Sequence, residues 1–296
     1  MIASDPRTLP VRGETMFHSV AVIGAPSNIG IRPYDDGRMR HLDRVPDILR
    51  ERDLIKRLGA MDLGNVTPPP YADFVRPPNR ARNEEQVVAY SRALSERVAE
   101  AVDLGRFAVV VGGDCSNVLG SLLGVRRSVK GPIGLAYVDA HADFATPEES
   151  RTGSVASMAL ALAVGRGNSP LARLAGRSPL VEGRHVALIG RRDAAQAWYG
   201  HAALAGSRIL DIPDSDLEDR AFGDTAATVL NPAVMPAVDS PEPGGLLVDE
   251  LATLLAPLVR HPLAMGLSLS IYDPAFDPDR SGARLLVSLL ESLLRE

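Results

Sequence analysis

FAVVVGGDCS (107–116) and IGLAYVDAHAD (133–143) decide how this chain folds. Each is an unbroken apolar run that ends in a glycine turn or in acidic residues. Continuous runs of this kind are strands buried on both faces, as in a parallel sheet with helices above and below. SNVLGSLLGVRRSV (116–129), between them, has the length and apolar spacing of a crossover helix. The two runs are therefore expected side by side and parallel, in the centre of one sheet.

The flanking sequence repeats the strand–loop–helix order. VAVIGAP (20–26), AMDLGNV (60–66), HVALIG (185–190) and SRILDI (207–212) read as further strands. From Asn83 to Asp103, Val87, Val88, Tyr90, Leu94, Val98 and Ala101 recur at helical spacing. Helices are also expected over 45–58, 154–165 and 283–294, while 27–42 and the Pro-rich PPPYADFVRPPN (68–79) read as loops. DLEDRAFGDTAATVL (216–230) reads mainly as one helix. Residues 1–17 are expected to be a polar, flexible tail ahead of a single α/β domain over 18–296.

Composition narrows the function. The net charge of −5 disfavours nucleic acid or an anionic membrane as main partner. Aromatic residues, at 4%, are too few for a base-stacking surface. No apolar run approaches the roughly 20 residues that cross a bilayer, and the N-terminus lacks a signal-peptide core, so a cytoplasmic location is expected. The single cysteine, Cys115, excludes an internal disulfide.

Ligands gather at the carboxyl ends of parallel strands. Asp139, His141 and Asp143 follow one such strand. If the segment stays extended, side chains at i, i+2 and i+4 share a face and point at one ion. Two carboxylates and an imidazole suit Mn²⁺, Zn²⁺ or Fe²⁺. The alternative is a set of helix caps and turn formers.

GGDCS (112–116) followed by YVDAHADF (137–144) is similar to the paired motifs of the arginase–agmatinase–formimidoylglutamase (ureohydrolase) family. The likeness extends to Asn83, ALIGRRD (187–193), NPAVMPAVDSPEPGGL (231–246) and GLSLSIYDP (266–274). The resemblance implies a three-layer α/β/α fold with a central, mostly parallel sheet and a dinuclear manganese site. It implies hydrolysis of a small guanidino or amidino substrate, with paired cations lowering the pKa of bound water. Asp139 would bridge both ions, with His141 on one and Asp143 on the other. Cys115 stands where most members place a histidine ligand. A thiolate is softer than Mn²⁺ prefers and admits Zn or Fe, while a small buried thiol without metal is the other reading. Asp193 would lie near the far amine of the substrate, against the plainer reading of an ion pair after a strand.

The same resemblance exposes departures. The second ligand set falls on Ala226 and Thr228, ahead of Asn231-Pro232, with Asp224 or Asp239 as the available substitutes. The loop TPEESRTGSVASM (146–158) lacks the family's acid–base histidine, and Ile271 replaces its guanidinium-binding glutamate. His18, His41, His185, His201 and His261 read as surface or packing residues. The expected function is a metal-dependent hydrolase of C–N bonds in linear amidines, impaired by the missing ligands. The alternative is a catalytically silent scaffold or small-ligand sensor. A nucleotide-binding protein, resting on VIGAPSNIG, lacks the Gly-x-Gly-x-x-Gly spacing. The family likeness also implies a trimer or hexamer, with the leucines of 283–294 either between subunits or closing the monomer core.

Overall fold

The computed structural model describes residues 19–176, 179–193, 200–218 and 245–295. Its strands are β1 (Val20–Gly24), β2 (Met61–Asn65), β3 (Phe107–Val111), β4 (Leu135–Val138), β5 (Val186–Ile189), β6 (Leu210–Ile212) and β7 (Gly266–Leu269). Every pairing is parallel, in two sheets ordered β2-β1-β3-β7 and β4-β5-β6.

One expectation fails here. β3 is central, but its neighbours are β1 and β7, and β4 lies in the other sheet. The flank of β3 is filled by β7, in register Ala108↔Gly266 through Val111↔Leu269. Gly266 permits this contact, because a Cβ there would lie 2.4 Å from the Ala108 carbonyl oxygen. Among the described residues β4 pairs only with β5, so it is an edge strand.

Helices cover both faces, giving the three-layer α/β/α architecture. In β3, Ala108 and Val110 point into one core and Phe107, Val109 and Val111 into the other, following the two-residue period of a strand. The first core is closed by α3 (Glu84–Asp103), α4 (Asn117–Ser128) and α5 (Ala159–Ala163). The second is closed by α1 (Val45–Arg50), α2 (Leu54–Leu58), α8 (Val248–Val259) and α9 (Ser281–Leu294). Two short helices, α6 (His201–Ala205) and α7 (Asp214–Glu218), flank β6 in sequence.

Local chemistry explains the boundaries. The single helix expected over 45–58 is broken at Asp53, whose backbone is left-handed at φ 61. α3 and α4 pack closely because Gly120 and Gly124 leave room: Cβ atoms there would come 2.9 Å from Leu94 and 2.6 Å from Val98. α9 turns Leu286, Leu289, Leu290 and Leu293 into the second core. Truncating one such leucine costs about 2–5 kcal/mol, so these residues close the monomer. Among the described residues no helix is long and apolar enough to cross a membrane. The tail over 1–17, most of the helix expected over 216–230, and Asp224, Ala226, Thr228, Asn231 and Asp239 lie outside the described residues.

Candidate metal centre

At the carboxyl end of β3 the chain reverses through Gly112 (φ 96) and Gly113 (φ 76). Gly113 is required: a Cβ there would sit 2.3 Å from Asn117 Nδ2 and 2.6 Å from the Ala25 carbonyl oxygen. Asp114, fully buried, accepts the Gly30 N–H at 3.0 Å and the Ser116 N–H at 2.9 Å. Burial pushes its carboxyl above the usual range. This turn delivers Cys115 to the mouth of the sheet, directly before α4.

β4 delivers the acidic residues. Asp139 N–H donates to the Ile189 carbonyl at 3.1 Å, continuing the β4–β5 ladder by one residue. The segment then turns instead of staying extended. His141 N–H donates to Asp139 Oδ1 at 2.9 Å, an Asx-type closure, and Asp143 is left-handed at φ 46. Convergence of the side chains therefore comes from a turn, not from the alternation expected of a strand.

Residues after β5 strap that turn. Arg192 N–H donates to the Ala140 carbonyl at 3.0 Å. Asp193 Oδ2 accepts the Ala142 N–H at 2.8 Å, between His141 and Asp143. Asp193 Oδ1 faces His201 Nε2 at 3.2 Å and Arg191 at 3.9 Å, and the side chain is 0% exposed. Asp193, expected near the far amine of the substrate or else as an ion pair after a strand, here has its carboxylate on the backbone behind the ligand turn, with Arg191 and His201 beside it. The start of α6 presses on the same loop, since a Cβ on Gly200 would lie 2.3 Å from the Phe144 carbonyl oxygen.

Cys115, Asp139 and Asp143 each bring one donor atom to within 4.8 Å of the others. Cys115 Sγ lies 3.9 Å from Asp139 Oδ2. Tyr137 Oη donates to Asp143 Oδ2 at 2.6 Å. His141 stands beside this trio, its Nδ1 3.6 Å from Asp139 Oδ1. The sequence therefore named three residues that come together and one that stands next to them.

The cluster gathers acidic groups in a confined space. Burial, followed by the charge of Asp139, pushes the Asp143 carboxyl well above its ordinary value. Burial opposes a charged His141, yet the contact with Asp139 and the charges of Asp143, Asp139 and Asp193 outweigh it and raise the imidazole to about 9. A thiol and two carboxylates in one partly buried cluster are a fitting donor set for a divalent ion.

A cavity of about 560 Å³ opens from this cluster. It runs between the edges of β4 and β7, lined by Ala136 and Val138 on one side and Leu267 and Leu269 on the other. Leucines of α8 and α9 continue the apolar wall, while Arg32, Arg40, Arg192 and Asp214 bring charge to it. Ile271, at φ 74, also lines the cavity. Sequence reading passed over Tyr137 and Arg192, while His201, read as a surface or packing residue, packs against Asp193. Only Tyr137 carried a signal, standing two residues before Asp139 and hence on the same face of β4.

The sequence profile of the arginase family matches residues 18–295. The chain belongs to the arginase family. It is 28% identical over 301 residues to the arginase of Bacillus caldovelox, covering 94% of this chain and 98% of that protein. The solved structure of that arginase superposes with a TM-score of 0.79 at 25% identity, covering 94% of this chain and 99% of the other. The formimidoylglutamase of Bacillus subtilis shares the fold, with a TM-score of 0.68 at 16% identity over 99% of this chain and 93% of that one. In this arginase-family chain, the Cys115–Asp139–Asp143 cluster occupies the carboxyl ends of β3 and β4.

Proposed function

We propose that this chain is an impaired ureohydrolase: a metal-dependent hydrolase of C–N bonds in small linear guanidino or amidino compounds that holds one divalent ion firmly and turns over slowly. The observation that carries this reading is the approach of Cys115, Asp139 and Asp143 donor atoms to within 4.8 Å of one another. These three residues would hold the ion, with His141 alongside. A bound divalent ion supplies Lewis-acid activation of water and of the substrate. The thiol favours Zn²⁺ or Fe²⁺ over Mn²⁺, because thiolate is the softer ligand.

The remaining work falls to the chain itself. The left-handed Asp143 and the Asx closure at Asp139 hold both carboxylates in place, which spares reorganisation when a substrate arrives. Arg192 and Asp214 line the cavity and present opposite charges to the far end of a small polar substrate. Slow turnover follows from two features. The second ligand set aligns with Ala226 and Thr228, neither of which offers a carboxylate. Ile271 lines the cavity with hydrocarbon where a glutamate would hold a guanidinium.

Purified protein loaded with Mn²⁺ or Zn²⁺ is tested with arginine, agmatine and guanidinobutyrate. Urea or ammonia release should stay near a metal-only blank. Robust turnover abolished by Asp139→Asn would overturn the impairment and establish a full enzyme. The second reading, a scaffold or small-ligand sensor, is favoured by Ile271 in the cavity wall. It predicts that a guanidino compound raises the melting temperature without being consumed.

A further inference from the structure

We infer that Tyr137 is a positioning residue of the metal centre: its hydroxyl fixes the rotation of the Asp143 carboxylate and restricts it to binding an ion through a single oxygen. The inference rests on the metal-binding reading above and adds to it a residue outside the ligand set.

Four observations carry it. Tyr137 Oη donates to Asp143 Oδ2 at 2.6 Å, the short contact of a hydroxyl on a carboxylate. Both side chains are buried, with Tyr137 8% and Asp143 4% exposed, so water does not compete for the bond. The Asp143 backbone is fixed independently, by its left-handed φ of 46 and by the Ala161 N–H donating to its carbonyl at 3.1 Å. Finally, β4 ends between the two residues, so the bond ties the end of the strand to the far side of the ligand turn. Asp193 holds the same turn from behind through the Ala142 N–H.

A buried carboxylate with both oxygens free can swing or chelate. With one oxygen engaged by a phenol, it offers a single donor direction, and the groups that orient ligands in this way govern affinity strongly. The phenol is the donor in this bond, whereas a tyrosine acting as a direct ligand would have to give its proton up.

Two measurements test this, both on the full chain. Co²⁺ is titrated against a competing chelator into wild type and Tyr137→Phe, recording affinity and the visible Co²⁺ spectrum, with circular dichroism of the metal-free proteins as a check on folding. The variant should bind about 10–100-fold more weakly, and its d–d bands should weaken as Asp143 becomes free to chelate and the coordination number rises. Unchanged affinity and spectrum in the variant would overturn the role of Tyr137 while leaving the metal site intact. Wild type that binds no Co²⁺ would sink the metal reading and this inference together. The second measurement is the near-ultraviolet difference spectrum of wild type on loading, which does not depend on the variant's folding. No tyrosinate band should appear, and its appearance would make a tyrosine a ligand and overturn the proposal.

Discussion

Replacing Asp193 with alanine separates a structural brace from a substrate contact. The carboxylate is 0% exposed and serves three groups: the Ala142 N–H at 2.8 Å, His201 Nε2 at 3.2 Å and Arg191 at 3.9 Å. Ala142 is itself 0% exposed, so its N–H loses its acceptor without gaining water. An unsatisfied buried donor costs about 1–3 kcal/mol. Arg191 keeps its hydrogen bonds to both oxygens of Asp211, at 2.7 and 2.6 Å, so its charge is not stranded. Removing one member of a buried ionic cluster costs about 3–5 kcal/mol when nothing replaces it. With Asp211 still in place, about 3 kcal/mol is expected for Asp193→Ala. Asp193→Asn, which can still accept the Ala142 N–H, should lose roughly half as much. Urea unfolding of the metal-free protein measures both, read as a shift in midpoint at constant slope. A loss below about 1 kcal/mol for the alanine variant, with an altered KM alone, would refute the brace and return Asp193 to the substrate.

Other expected outcomes are simpler. Gly124→Ala places a Cβ 2.6 Å from Val98 and 2.8 Å from the Ser95 carbonyl oxygen; it should cost about 1–3 kcal/mol by forcing α3 and α4 apart, and unchanged thermal unfolding would contradict that packing. Cys115→Ser should weaken Zn²⁺ much more than Mn²⁺, since only the softer ion gains from thiolate; equal losses in competition titrations would show that the thiol is not a ligand. Glu149 accepts hydrogen bonds from Arg166, which hold its pKa at about 2, below the ordinary 4.5. Its folded-state pKa is depressed, so its contribution is present above pH 4.5 and is lost as pH falls from there through 2. Glu149 is 45% exposed, so solvent screening limits that contribution to about 1 kcal/mol or less. Glu149→Gln should flatten that part of the acid decline in urea midpoint, and an unchanged slope would count against the pairing.

The strands were legible in the sequence because buried parallel strands are continuous apolar runs, and β1, β3, β4 and β5 all have that form. Their order was not. Adjacency is decided by contacts distant in sequence, and Gly266, which admits β7 beside β3, looks like any other glycine. Asp139 and Asp143 could be named because carboxylates after an apolar strand are chemically conspicuous, and Cys115 because GGDCS is similar to the family motif that carries a histidine there. The alternation argument nevertheless gave the wrong route to their convergence. An Asx closure at Asp139 and a left-handed Asp143 replaced the extended backbone, and in that turn His141 falls beside the trio. Asp193 kept two readings open because a carboxylate spent on a backbone N–H has the same sequence signature as one facing a ligand. Tyr137 read as one more apolar strand residue, since what its hydroxyl meets is fixed only when the turn has formed.

The most direct test is the metal content of the purified chain after saturation and removal of loosely held ions. The account predicts one firmly held divalent ion per chain, retained by wild type and lost from Asp139→Asn. Two tightly held ions per chain, or metal retained in full by Asp139→Asn, would contradict it.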